Sequence, residues 1–198
     1  TQAKIAVLGR ALPLVNNPLT IAEEYAMLDC LSGGRLEFGI GRGFQKGEYD
    51  AFERDMGDSR ALFEEAHDII MNAWTSGKHS FNGKFRQFKD LTVIPKPIQK
   101  PPPVYVACIF TPESFDWTGK MGHNLMVVPY ALPNSEMLVD RIQRFLRNRD
   151  SNGHTNDAEV LGVFHFYCGD SEQEAKETPR HAMHRYLEAV VKANPEDA

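Results

Sequence analysis

The run LDCLSGGRLEFGIGRG, from Leu28 to Gly43, constrains the fold more than any other part of the chain, because a helix end, a turn, a strand and a glycine-rich exit follow one another in it. Helical spacing stops at Leu31. Gly33 and Gly34 supply the positive φ angles that a helix C-terminus uses, and Leu36 to Ile40 form a short apolar strand. That order is the joint between successive βα units. At the strand exit Gly39, Gly41 and Gly43 surround one cation, Arg42. Glycines let a backbone approach a ligand closely, and a guanidinium is a planar fork suited to phosphate, so this exit reads as an anion site. The spacing GxGxG differs from the dinucleotide fingerprint GxGxxG.

The rest of the chain repeats the unit. Ile5 to Leu14 reads as a strand interrupted by Pro13, and Pro18 opens a helix running from about Leu19 to Leu31. Arg60 to Trp74 carries the cleanest helical stripe, Leu62, Phe63, Ala66, Ile69, Ile70, Ala73 and Trp74, with Asp58 or Ser59 as its cap. Residues 79–95 read as a small β-hairpin insert turning at Asn82-Gly83, its Lys84, Arg86 and Lys89 solvated. The proline-rich IPKPIQKPPP leads stiffly into a buried strand, Val104 to Ile109. Thr111 to Gly122 (helix), Leu125 to Tyr130 (strand), Asn134 to Arg149 (helix), Val160 to Tyr167 (strand) and Glu172 to Lys192 (helix) complete the pattern. Such alternation implies an α/β protein with a parallel sheet, and periodicity alone leaves a closed barrel and an open doubly wound sheet both standing.

Composition excludes several classes. A net charge of −5 argues against nucleic-acid binding, and the densest basic run, RIQRFLRNR from Arg141 to Arg149, reads as the solvated face of a helix. No apolar run is long enough to span a membrane, and the first residues lack a signal-peptide pattern. Cys30, Cys108 and Cys168 are far apart and odd in number, which suggests reduced core thiols in a cytoplasmic protein.

Four segments share their order with one family: PLTIAEEYAMLDCLSGGR (Pro18 to Arg35), DMGDSRALFEE (Asp55 to Glu65), IPKPIQKPPPVYVA (Ile94 to Ala107) and SFDWTGKMG (Ser114 to Gly122). With GIGRG, they make the chain resemble the bacterial luciferase-like monooxygenases from about Lys4 to about Lys192. The resemblance implies a (β/α)8 TIM barrel, of which about five units, the third to the seventh, are present in one domain spanning residues 1–198. It leads us to expect a truncated barrel, with a naturally shortened one as the alternative. It also implies reduced FMN as cofactor, O2 and an apolar organic molecule as substrates, a separate flavin reductase, and a homodimer. Within the fold the alternatives are an F420-dependent hydride-transfer enzyme and a shortened non-catalytic flavoprotein. Relatives using F420 often carry a small residue at the position of Arg42, so this arginine favours FMN.

Ligands of parallel α/β folds lie at the carboxyl ends of the strands, which singles out Arg42 and Gly41. By its chemistry Arg42 is either a phosphate contact or a surface ion-pair partner. Arg60 stands at a helix N-terminus, where a cation opposes the dipole at a cost of about 0.3–1 kcal/mol. A phosphate beside it would offset that cost, and so would Asp55, Asp58 or Glu64. Thr111 and Ser114 offer hydroxyls at the start of a helix, a ready anion site or ordinary caps. The resemblance assigns phosphate contact to all four, and places Gly9 to Ala11 in a segment beneath the flavin ring that sometimes holds a non-proline cis peptide. It puts the family's catalytic histidine ahead of Thr1. His181 and His184 lack a third metal ligand, Cys108 reads as packing, and His165 is either a core or a lumen residue. The small or flat Ala22, Tyr25, Ala26 and Cys30 make the first helix the expected dimer face.

Overall fold

The computed structural model describes residues 1–193. Two short strands, β1 (Ile5–Ala6) and β2 (Arg10–Ala11), precede α1 (Pro18–Ser32), β3 (Leu36–Gly41) and the short α2 (Lys46–Ala51). There follow α3 (Ser59–Thr75), the hairpin β4 (His79–Asn82) and β5 (Gln87–Leu91), β6 (Val104–Cys108) and α4 (Pro112–Lys120). The described part ends with β7 (Asn124–Val127), α5 (Ser135–Ser151), β8 (Val160–Gly162), α6 (Glu172–Glu177) and α7 (Arg180–Ala193). The main sheet is parallel throughout, in the order β1-β3-β6-β7-β8 with β2 also on β3. It curves as a half-barrel with helices on its outer face.

Local chemistry sets the boundaries. Asn17 accepts from the Leu19 amide at 3.0 Å to cap α1, and Pro18 takes the first helical position. Gly33 and Gly34 end the helix at φ +70° and +77°, with the Gly34 amide donating to Asp29 at 2.9 Å. The two halves of the first strand are separated at Val7–Gly9, where the chain swings against β3 so closely that a Cβ on Gly39 would lie 1.6 Å from the Val7 carbonyl oxygen. Gly39 therefore serves backbone packing, and Gly43 serves a turn at φ +78°. Gly41 and Gly43 both line the cleft described below.

The core lies between the sheet and its helices. Phe38 of β3 meets Tyr25 of α1 edge-on at 4.7 Å and Trp74 of α3 at 4.9 Å. Every residue of the predicted α3 stripe is buried. Ala22, Tyr25 and Ala26 are buried too, with the Trp74 indole donating to the Ala22 carbonyl at 2.8 Å, so their close approach is made inside the chain. They cannot form a dimer face. The exposed apolar residues of α1 are Met27, Leu28 and Leu31.

Other expectations need correction. The hairpin turns through residues 83–86, Gly83 donating to the Arg86 carbonyl at 2.9 Å, and Asn82 is a strand residue paired with Gln87. Its cations are not all merely solvated: Lys84 pairs with Asp58 at 2.7 Å and Arg86 donates to the Asn16 carbonyl at 2.6 Å, tying the hairpin down. The basic run of α5 is not a solvated face, because Arg149 is 2% exposed and Arg144 pairs with Asp116 at 2.5 Å. β7 stops at Val127 before Pro129, and β8 stops at Gly162, with Phe164 and Phe166 exposed beyond it. Pro179 separates α6 from α7. Cys108 is buried and Cys30 half-buried, but Cys168 is exposed, and all three thiols are free.

Candidate functional site

The carboxyl ends of the strands converge on a cleft of about 400 Å³ that includes Ala11, Gly41, Arg42, Thr111 and Ser114 in its wall. Met126, Val128 and Val163 form an apolar side of the same cleft. Arg60 stands next to it, sharing a smaller gap with Arg42, Ser114, Phe63 and Trp117. The six residues singled out in the sequence thus come together from four separate segments: β2, the exit of β3, the start of α3 and the start of α4.

Arg42 is the fixed point. Its Nη2 donates to Thr111 Oγ1 at 3.1 Å and its Nη1 reaches Ser59 Oγ at 3.4 Å, so the guanidinium spans from β3 to the starts of α3 and α4. The Tyr49 hydroxyl of α2 donates to the Arg42 carbonyl and holds the loop from below. Among the described residues no carboxylate is within ion-pair distance of Arg42, whose salt-bridge alternative is therefore absent. Burial holds its pKa below the ordinary guanidinium value, and the neighbouring Arg60 charge adds to the effect. Two guanidiniums side by side raise the local positive potential and fit an anion.

Arg60 has only a weak alternative partner. Its Nη1 is 3.9 Å from Glu64 Oε1 one helical turn on, both side chains being more than a third exposed. Asp58 is taken by Lys84, and Asp55 accepts from the Gly57 amide at 2.8 Å. Neither Asp58 nor Ser59 caps α3 with its side chain: Ser59 is the first helical residue and offers its hydroxyl to Arg42. Thr111 likewise precedes α4 without a side-chain cap bond, its hydroxyl turned to Arg42. The positive end of α4 faces the same region.

Ser59 and Tyr49 are the supporting residues that sequence reasoning missed. Ser59 leaves a signal, a small hydroxyl at a helix start beside an unpaired cation, but in sequence the same signal marks an ordinary cap. Tyr49 left none, because α2 is too short to show periodicity.

The remaining candidates take quieter places. Cys108 sits 3.4 Å from Thr118 Oγ1, and burial pushes its thiol up to about 12, so it carries no thiolate and packs as expected. His165 is exposed at the rim, its Nε2 2.8 Å from the Tyr130 hydroxyl, and so is not a core histidine. His181 and His184 are exposed, and among the described residues no three potential ligands cluster around a metal position. The cis peptides are Ile94–Pro95 and Lys100–Pro101, both before proline and neither near Ala11, where Gly9 instead takes φ +105°.

Residues 4–197 match the luciferase-like monooxygenase family, and the chain belongs to it. It is 32% identical over 173 residues to the oxygenase component of flavin-dependent trigonelline monooxygenase from Acinetobacter baylyi, covering 81% of this chain and 44% of that protein. It is 26% identical over 197 residues to FMNH2-dependent dimethylsulfone monooxygenase from Pseudomonas putida, covering 98% of this chain and 51% of that one. The crystal structure of monooxygenase RslO1 from Streptomyces bottropensis superposes with a TM-score of 0.88 at 30% identity, over 98% of this chain and 59% of that one. The chain spans about half the length of the curated relatives it matches.

Proposed function

We propose that this chain forms the third to seventh βα units of a (β/α)8 flavin-dependent monooxygenase that uses reduced FMN and O2 to oxidise an apolar organic substrate, with a separate reductase supplying the reduced flavin. The observation that carries this reading is Arg42: a half-buried guanidinium without a carboxylate partner, fixed by two hydroxyls at a strand exit and standing next to a second arginine. That donor set fits a terminal phosphate better than a neutral group. When bound, reduced FMN supplies the two electrons with which O2 is activated and one oxygen atom enters the substrate.

The chain's own residues bind, orient and exclude water. Arg42 and Arg60 would hold the phosphate, Thr111 and Ser114 would offer it their hydroxyls, and Gly41 and Ala11 would leave room for the ring system near the backbone. Met126, Val128 and Val163 present an apolar wall that keeps water from the reacting region. No helix among the described residues is long and apolar enough to cross a membrane. A cytoplasmic homodimer belongs to the same reading, with Met27, Leu28 and Leu31 of α1 as the apolar face available to a second copy.

Anaerobic titration with FMN, reduced FMN and F420 tests the cofactor. Tight binding of reduced FMN followed by O2 consumption supports the monooxygenase. Preference for F420 moves the chain to the hydride-transfer alternative, and binding without O2 consumption to the non-catalytic one.

A further inference from the structure

Behind the two arginines lies a chain of rings that the cofactor reading does not use. On α3, Arg60, Phe63 and His67 follow one another down one face, and on α4 Ser114 is followed one turn later by Trp117. Trp117 meets Phe63 edge-on at 5.0 Å and His67 at 4.9 Å. His67, 3% exposed, brings its Nε2 to 2.8 Å from Nε2 of His123 in the turn between α4 and β7.

Two imidazole nitrogens at that distance form a hydrogen bond only when one carries a proton and the other a lone pair. With His67 in its neutral form, its Nδ1–H faces Asp68 Oδ1 at 3.0 Å, so its Nε2 accepts and His123 Nε2–H donates. His123 is itself anchored. Its carbonyl accepts from Arg149 Nη1 at 2.8 Å, and its amide donates to the Thr118 carbonyl at 3.2 Å. The ring-to-ring bond therefore joins α3 to a turn that is rigid with respect to α4 and α5.

We propose that His67 and His123 are positioning residues for the phosphate clamp: their mutual hydrogen bond, with Trp117 packed against it, fixes the gap between α3 and α4 and so the distance from Arg60 to Ser114. The inference rests on the phosphate reading of that clamp. Neither histidine touches the cofactor. Each acts through the helix it holds, in the way that a supporting shell holds a binding group to sub-ångström tolerance.

The test compares FMN with riboflavin, which lacks the phosphate, by fluorescence titration of the wild type, His123→Leu and His123→Gln, with thermal melting to show that each variant is folded. His123→Leu removes the donor and should weaken FMN about fivefold or more while riboflavin changes less than about twofold. His123→Gln offers an amide N–H at similar reach and should restore FMN binding to within about twofold of wild type. Should His123→Leu not fold, His67→Leu removes the acceptor in its place and should lose the same preference. Equal losses for both ligands, an unchanged FMN preference in His123→Leu, or a failure of His123→Gln to rescue would each overturn the proposal. A wild type that binds riboflavin as tightly as FMN would instead overturn the phosphate reading beneath it.

Discussion

Arg42 and Thr111 are separated by α2, α3, the hairpin and β6 in the chain, yet Arg42 Nη2 lies 3.1 Å from Thr111 Oγ1 across the mouths of β3 and β6. The parallel pairing of these strands brings their carboxyl ends side by side, and each exit contributes what the other lacks. β3 ends in a cation, and β6 ends in the hydroxyl-bearing start of a helix. A side chain held at both ends is pre-organised, so little rotamer entropy remains to be lost when an anion arrives.

Replacing Arg42 or Arg60 with Ala should therefore weaken FMN binding by about ten- to a hundredfold, the value of a charged hydrogen bond of about 1.5–3 kcal/mol. Riboflavin should hardly respond. Titrating both ligands against both variants separates phosphate contact from a folding defect, and equal losses would reduce the arginines to structural partners.

Two of the strand-exit glycines, Gly39 and Gly41, make opposite predictions. A Cβ on Gly39 would collide with the Val7 carbonyl at 1.6 Å, whereas one on Gly41 would lie at an ordinary 3.5 Å from Ala107 Cβ. Gly39→Ala should cost about 3 kcal/mol or more in urea unfolding, since backbone must move. Gly41→Ala should stay within about 1 kcal/mol and weaken FMN by narrowing the cleft. A stable Gly39→Ala would refute the packing role.

The sequence shows these needs unevenly. The strand Leu36–Gly41 and the α3 stripe are legible because one element's own spacing states which face is buried. The approach of Val7 to Gly39 is not, since it depends on an irregular stretch with no period. The six candidate residues lie together because the fold gathers strand exits and helix starts, whereas the residues that support them, Ser59 and Tyr49, are ordinary residues until the chain is folded. The fate of the α5 arginines was hidden for a related reason. Arg144 and Arg149 find Asp116, His123 and Asn156 only through tertiary contact, and in a one-dimensional reading a charge run on a helix looks solvated.

Arg149 accordingly separates the two readings of that helix. Nη1 donates to His123 O at 2.8 Å, and Nη2 donates to Asn156 O and Oδ1 at 3.1 and 3.0 Å. Arg149→Leu removes three hydrogen bonds made by a guanidinium that is only 2% exposed and should destabilise the fold by about 1.5–3 kcal/mol. Arg147→Ala, on the exposed side of the same helix, should change stability by less than about 0.5 kcal/mol. Denaturant midpoints decide, and similar small effects would return Arg149 to the surface.

Acid should act on the fold through His123. Burial above all, with the positive charge of Arg149 adding to it, lowers its pKa from 6.5 to about 3. The folded state thus refuses a proton that the unfolded chain accepts below about pH 6.5. The contribution is fully present above that pH and is lost as pH falls toward 3, at up to about 1.4 kcal/mol per unit from this one group. His123→Gln keeps a donor to His67 and cannot titrate. Between pH 7 and pH 5 its unfolding free energy should consequently fall less steeply than that of the wild type, by about 1–2 kcal/mol over the interval. Carboxylates common to both proteins cancel in that difference. Parallel pH profiles would mean that His123 takes up its proton in the folded state without penalty, and would overturn burial as the cause of its depressed pKa.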